Sequence, residues 1–243
     1  MNLEMNQLQQ RNNPREIQGM FDEIAPTYDL LNHLMSFGLD IRWRRSAIKQ
    51  LEAKQGGLFL DIAAGSGDVS LDLLRLKHRN IVGADFALNM LHLFREKLAH
   101  RHSQISLVSC DALALPFRSG SFDATIVAFG IRNFANRLQS LEEMLRVLKP
   151  GGISVILELS HPVRPGISEL YRAYSRWVMP LIGRLISGSN SAYRYLPSSV
   201  AGFPAKDEFI SLMATAGFVG TRATPLTFGV ATIYVGQKSV AGE

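Results

Sequence analysis

The sequence predicts a doubly wound α/β sandwich, and three observations predict it. Between Gly57 and Ser160, short apolar runs alternate with amphipathic segments, the pattern of βαβ units around a mostly parallel sheet. The first run, "LFLDI", passes straight into "AAGSGD", a small-residue loop of the kind that lets backbone approach a ligand closely. Two further strand-like runs with a short connection close the chain, which allows an antiparallel hairpin.

Each element follows in order. Residues 1–15 are polar and read as a loose tail, and 16–243 read as one domain. From Ile17 to Leu51 apolar residues recur at helical spacing, which predicts a helical cap over 16–55 with a break at Gly38. "GLFLDIAA" is a strand, "VSLDLLRL" a helix, "NIVGADF" a strand and "NMLHLFREKLAH" a helix. "ISLVSCD" and "FDATIVAFG" are strands, and "RLQSLEEMLRVL" is a helix that "KPGG" ends before the strand "ISVILELS". A helical insertion interrupts the alternation at 162–205, with its main helix from Ile167 to Ser187. The helix "KDEFISLMATAG" and the strands "FVGTRATPL" and "FGVATIYVGQK" complete the chain.

Composition narrows the function classes. The 243 residues are 47% apolar, enough for a sizeable core. Lysine and arginine exceed aspartate and glutamate by 26 to 21, but they are scattered; no nucleic-acid stripe is expected, whereas anionic lipid or an acidic small molecule fits. Cys110 is the single cysteine and cannot form an internal disulfide, so a reducing compartment is the expectation. The start lacks the pattern of a signal peptide and no apolar run is long enough to span a bilayer, which predicts a soluble cytoplasmic protein. No histidine–carboxylate cluster has metal-ligand spacing, so no metal is expected.

Ligands of open parallel sheets lie at the carboxyl ends of the strands. The glycine loop sits at one such end, and Asp85 closes the next strand 20 residues after Gly65, where a carboxylate can accept both hydrogen bonds of a ribose diol. Gly65 and Gly67 are followed by Ser70, so the third glycine of a dinucleotide fingerprint is missing. Asp61 inside the first strand suits an ammonium better than a pyrophosphate. Asp111, ending the third strand, can accept from an adenine amino group. The loop therefore favours S-adenosylmethionine over NAD. The alternative for each acid is an ordinary strand-end or capping carboxylate.

"FDEIAPTYDLLNHLMSFGLDIRWRR", "LDIAAGSGD", "DALALPFRSGSFD", "AFGIRN", "EEMLRVLKPGG", "ELSHP" and "YRYLPSS" then follow one another. This succession resembles the ubiquinone/menaquinone-biosynthesis C-methyltransferases over about Phe21 to Lys238. The resemblance implies a Rossmann-like class I methyltransferase: a seven-stranded, mostly parallel sheet with helices on both faces and its last strand antiparallel. It implies S-adenosylmethionine as cofactor, with contacts at Ser66 (threonine in most of the family), Asp85, Asp111 and Ala112. The implied reaction methylates a ring carbon of a polyprenylated quinol, demethylmenaquinol in the first instance. The benzoquinol of ubiquinone biosynthesis, or both, is the alternative, and another small molecule the more distant one.

Candidate roles follow. Arg132 and Asn133 lie in the loop after the fourth strand; the first is expected to stabilise a developing phenolate and the second to orient the hydroxyl, while a structural ion pair is the other reading of Arg132. Tyr28 and Asn32 read as a lid over the cofactor or as helix packing. Tyr195, within "YRYLPSS", is expected at the substrate mouth. His161 is a conceivable base, and His100 and His102 sit at a helix end. In the insertion Leu170, Tyr174, Trp177, Val178, Leu181 and Leu185 share one helical face, bent at Pro180, which serves either as core or as a cap resting on the inner face of the membrane. The expected partners are thus the quinol and a membrane surface, with a homodimer as a further option. Tyr234 stands where many relatives carry histidine.

Overall fold

The computed structural model describes residues 14–54, 56–74, 80–99, 105–160, 162, 166–178 and 191–240. The cap is three helices, α1 (Pro14–Ile24), α2 (Tyr28–Met35) and α3 (Leu39–Lys49). Gly38 breaks it as expected, at a positive φ of 73°. A second break, the single 3₁₀ turn Ala25–Thr27, falls at Pro26, which has no N–H to continue a helix. Then come β1 (Leu58–Ile62), α4 (Asp68–Leu73), β2 (Asn80–Asp85), α5 (Leu88–Leu98), β3 (Ile105–Ser109), β4 (Phe122–Ala128), α6 (Arg137–Val147) and β5 (Leu148–Leu159). The insertion holds α7 (Ile167–Ala173) and α8 (Ser191–Ala201), and α9 (Lys206–Thr215), β6 (Val219–Leu226) and β7 (Ala231–Gln237) follow.

The strands form one seven-stranded sheet in the order β3-β2-β1-β4-β5-β7-β6. The first five run parallel and β7 runs antiparallel to both of its neighbours. Alternate residues of the central strands feed two cores, as a period of two requires. Leu60, Ile62, Val127 and Ile156 pack with Leu141, Met144, Phe209 and Met213 of α6 and α9. Phe59, Ile126, Val155 and Leu157 pack with Trp43, Ala47 and Ile48 of α3 and with Val69 and Leu73. The third cap helix is therefore a layer of the sandwich, and only α1 and α2 remain as a cover.

Two boundaries depart from the sequence reading. β5 begins at Leu148, before "KPGG", because Leu148 pairs with Phe122 and the ladder resumes at Ile153 beside Ala124 across a bulge. The loop between is pinned to the end of β7 by Gly151 N–H on the Lys238 carbonyl (3.0 Å) and Lys238 N–H on the Gly152 carbonyl (2.9 Å). In the insertion α7 passes into a π-helical turn, Tyr174–Val178. Leu170 and Trp177 there are 72% and 70% exposed, which a core helix would not leave them. Pro180, Leu181, Leu185, His100, His102 and His161 lie outside the described residues.

Candidate active site

The register aligns the carboxyl ends that the site needs. Ile62 pairs with Ala84 and with Val127, and Asp85 pairs with Ser109. The glycine loop is tied to β2 directly: Gly65 N–H donates to Asp85 Oδ2 and Ala87 N–H to Oδ1, both at 2.8 Å. Two amides thus aim the Asp85 carboxylate, whose pKa burial raises against their opposition. Ala63 and Phe129, just past β1 and β4, both take a left-handed backbone (φ 54° and 59°), and a Cβ on Gly130 would meet that of Ala63 at 2.6 Å. Such strain outside glycine gathers at functional sites.

Above this edge lies a cleft. Gly65, Asp85, Asp111, Ala112, Asn133 and Tyr28 line it, with Met90, Leu113 and Phe134 supplying apolar wall. Asp111 Oδ1 accepts from its own loop at Leu113 N–H (2.9 Å). Asp61 is wholly buried beside the cleft-lining Ile62; its Oδ2 accepts from Ser70 Oγ at 2.6 Å, while Oδ1 has no hydrogen-bond partner among the described residues. Burial pushes its pKa up to about 7, with the Ser70 hydrogen bond opposing and the Asp85 carboxylate adding to the rise.

Ser66 and Gly67 are not brought into this wall. The Ser66 hydroxyl donates to Asp29 Oδ1 on α2 (2.5 Å) and accepts from Lys97 Nζ on α5 (3.0 Å). Gly67 caps α4 at a φ of 90°, and a Cβ there would lie 2.1 Å from the Phe94 ring. Its glycine serves close packing.

A second space adjoins the cleft. Tyr28 and Arg132 border a hollow that Tyr195 also lines. Both also border a cavity walled by Trp43, Phe129, Tyr171, Leu196 and Val230 among others. Tyr28 and Phe129 both also line the cofactor cleft, so the two chambers meet at these two rings. Arg132 donates to the buried Glu158 through Nη1 (2.7 Å) and through its backbone N–H (3.1 Å), and also to the Phe129 carbonyl. Burial disfavours the guanidinium, but the Glu158 carboxylate together with Tyr28 and Tyr195 outweighs it and holds the pKa above the ordinary arginine value. The ion-pair reading of Arg132 is therefore correct as geometry, and the residue still borders the chamber. Tyr195 donates to Asn133 Oδ1 at 3.0 Å. Burial raises the pKa of Tyr28 and Tyr195 and pushes Tyr171 up to about 12, so these phenols are neutral donors near pH 7.

Glu158, Trp43 and Tyr171 were not singled out from the sequence. Glu158 had a signal, since an acid inside "VILEL" needs a buried cation. Tyr234 lies fully buried with its ring 4.6 Å from that of Phe209 and lines none of these spaces.

A glycine loop after β1, an acid aimed by it at the end of β2 and a sheet closed by an antiparallel seventh strand define a class I methyltransferase. The comparisons carry this one step further. The profile of the ubiE/COQ5 methyltransferase family matches residues 7–238, and the chain belongs to that family. It is 49% identical over 220 residues to a demethylmenaquinone methyltransferase of Thermus thermophilus, covering 90% of this chain and all of that protein. It is 46% identical over 225 residues to the ubiquinone/menaquinone biosynthesis C-methyltransferase UbiE of Syntrophotalea carbinolica, covering 92% and 94% of the two chains. In fold it is similar to an S-adenosylmethionine-dependent methyltransferase of Thermotoga maritima, with a TM-score of 0.64 at 18% identity over 91% of this chain and 99% of the other.

The cofactor is S-adenosylmethionine, and the site fits it. Asp85, Asp111, Ala112 and Leu113 line the cleft with carboxylate acceptors and apolar wall, whereas Asp61 is fully buried and is not among its lining residues. A raised pKa has a definite sign. Without ligand, Asp61 contributes most to stability below about pH 4 and loses that contribution as pH rises towards 7. An ammonium seated against Asp61 would favour its ionised form, and cofactor affinity is then expected to rise with pH through about 7, with release of up to about one proton. Calorimetry in buffers of different ionisation enthalpy measures this. Asp61→Asn is expected to abolish the proton release, and release that persists in that variant assigns it elsewhere.

Proposed function

We propose that the protein methylates a ring carbon of a polyprenylated quinol in respiratory quinone biosynthesis, with demethylmenaquinol as its substrate. One observation carries the reading: a cavity lined by apolar side chains and by Arg132 meets the cofactor cleft at Tyr28 and Phe129. Such a cavity suits a flat ring with an isoprenoid tail, with a cation to meet a ring oxygen. The names of the Thermus thermophilus and Syntrophotalea carbinolica relatives support it. The second of those names also covers ubiquinone synthesis, which keeps the benzoquinol as the second reading.

The chemistry asks for few groups. S-adenosylmethionine, when bound, supplies an electrophilic methyl group. Ring carbon is a weak nucleophile, so the ring must gain electron density as a phenolic proton leaves. Arg132 stabilises the phenolate that develops, and as an always-protonated group it does not take the proton itself. Asn133 lines the cofactor cleft with its Oδ1 engaged by Tyr195, and from there its amide N–H groups orient the ring hydroxyl. The apolar walls exclude water and strengthen these interactions.

The tail leaves by the apolar rim. Phe37, 75% exposed, stacks on Tyr174 with ring centroids 5.6 Å apart. Phe228 follows Thr227 in a turn where both take a positive φ, and Trp177 lies under the Arg176 guanidinium. Aromatic rings with neighbouring arginines suit an anionic bilayer surface. Both parts are tested together by presenting each reduced quinone in anionic vesicles. Mass detection should show one added CH₂ on demethylmenaquinol, and the protein should float with the vesicles. A protein that binds S-adenosylmethionine but alkylates neither quinol overturns the substrate reading, and absence of flotation overturns the membrane contact.

A further inference from the structure

The Ser66 hydroxyl, which the family resemblance places on the cofactor, is turned towards the cover of the site. Asp29 is the residue after Tyr28, in the first turn of α2. Its Oδ1 accepts from Ser66 in the glycine loop at 2.5 Å. Its Oδ2 lies 2.5 Å from Lys97 Nζ on α5. Lys97 Nζ in turn donates to Ser66 Oγ (3.0 Å) and to Asp68 Oδ1 (2.8 Å). One ammonium therefore joins the glycine loop, the start of α4 and the start of α2.

The far end of α2 is tied to the same region. His33 Nδ1 lies 2.7 Å from Asp40 Oδ2, and Ser36 Oγ donates to Asp40 Oδ1 at 2.6 Å. Arg44 spans from Asp40 (2.6 Å) to Asp68 (3.2 Å). The helix that carries Tyr28 is thus fastened at both ends to the loop that frames the cofactor. An isolated half-exposed ion pair contributes little, but here one shared cation and one shared hydroxyl close a ring of contacts across three elements.

We infer that Lys97 and Asp29 are positioning residues that couple the cofactor loop to Tyr28, so that cofactor binding fixes α2 and thereby the wall of the acceptor chamber. The donor then binds first and the acceptor second. By reciprocity of coupled binding, an occupied acceptor chamber also tightens the hold on the donor. The coupling itself needs only cofactor binding; its effect on the acceptor rests on the quinol reading.

Hydrogen exchange of the α2 amides, with and without saturating S-adenosylhomocysteine, tests the coupling directly. In the unaltered protein the ligand should slow exchange across Leu31 to Met35 by about tenfold, within the usual range of coupling between sites. In Lys97→Met the ligand should still bind, within about threefold of the parent, while most of that protection is lost; Lys97→Arg should restore it. In quinol assays Lys97→Met should raise the quinol KM by about fivefold with the donor KM and kcat little changed, a split that general destabilisation does not produce. Should Lys97→Met fail to fold, Asp29→Asn removes the charge and keeps an acceptor for Ser66, and the same loss is expected. Parent-like protection in whichever variant folds overturns the coupling. Binding of the ligand to the parent without protection of α2 overturns it while leaving the cofactor assignment intact, and no binding at all overturns both.

Discussion

An Arg132→Ala variant is expected to lose methyl transfer by at least about a hundredfold in kcat and to melt about 10 °C below the parent. The two losses have separate causes. Glu158 is fully buried and its carboxylate faces the guanidinium at 2.7 Å. Removing the cation alone leaves an unpaired charge in the interior, which costs about 3–5 kcal/mol. A domain of this size loses about 2–4 °C for each of those. Activity measured on the alanine variant would therefore mix folding with chemistry. The double change Arg132→Met with Glu158→Leu separates them, because replacing a buried pair by apolar side chains of similar volume is often neutral. Thermal melting of that variant is expected to return close to the parent while turnover stays at the alanine level. Recovery of turnover would reduce Arg132 to a structural partner of Glu158.

The two glycines of the loop should fail in different ways. Gly67→Ala is expected to destabilise the protein by about 3 kcal/mol, from a strained positive φ and from overpacking, and to melt about 10 °C lower. Its Cβ has nowhere to go, since Phe94 is fully buried and its ring also fills the notch at Gly83, where a Cβ would lie 2.7 Å away. Gly65→Ala meets nothing closer than Tyr28 Cε1 at 3.9 Å. It should cost only the φ strain, about 1 kcal/mol, yet weaken cofactor binding because its new methyl group projects at the cleft wall. Melting curves and calorimetry on the pair distinguish a packing glycine from a binding one. Gly67→Ala melting with the parent would refute the packing argument.

What the sequence disclosed follows from where the forces act. Strands covered on both faces become continuous apolar runs, so β1, β2, β4 and the body of β5 were legible. The Gly65–Asp85 spacing was legible because one βαβ unit fixes it. The start of β5 was hidden, since proline and two glycines read as a stop although Leu148 pairs across a bulge. The fastening of α2 was hidden more deeply. Asp29, Ser66 and Lys97 stand 37 and 31 residues apart, on elements whose juxtaposition no local pattern encodes. For the insertion, helical spacing of Leu170, Tyr174, Trp177 and Val178 fits a buried and an exposed face alike, and only the fold shows which side meets solvent.

The chain has two tryptophans, and the fold puts them in opposite surroundings. The Trp43 indole lines the cavity proposed for the acceptor with its N–H on Thr227 Oγ1 at 2.8 Å, whereas Trp177 is 70% exposed. An indole buried against apolar walls and one wetted by solvent emit at different wavelengths. The protein thus carries an intrinsic optical reporter in the chamber itself: after Trp177→Phe, filling and emptying of that space can be followed by fluorescence, without a label and without turnover.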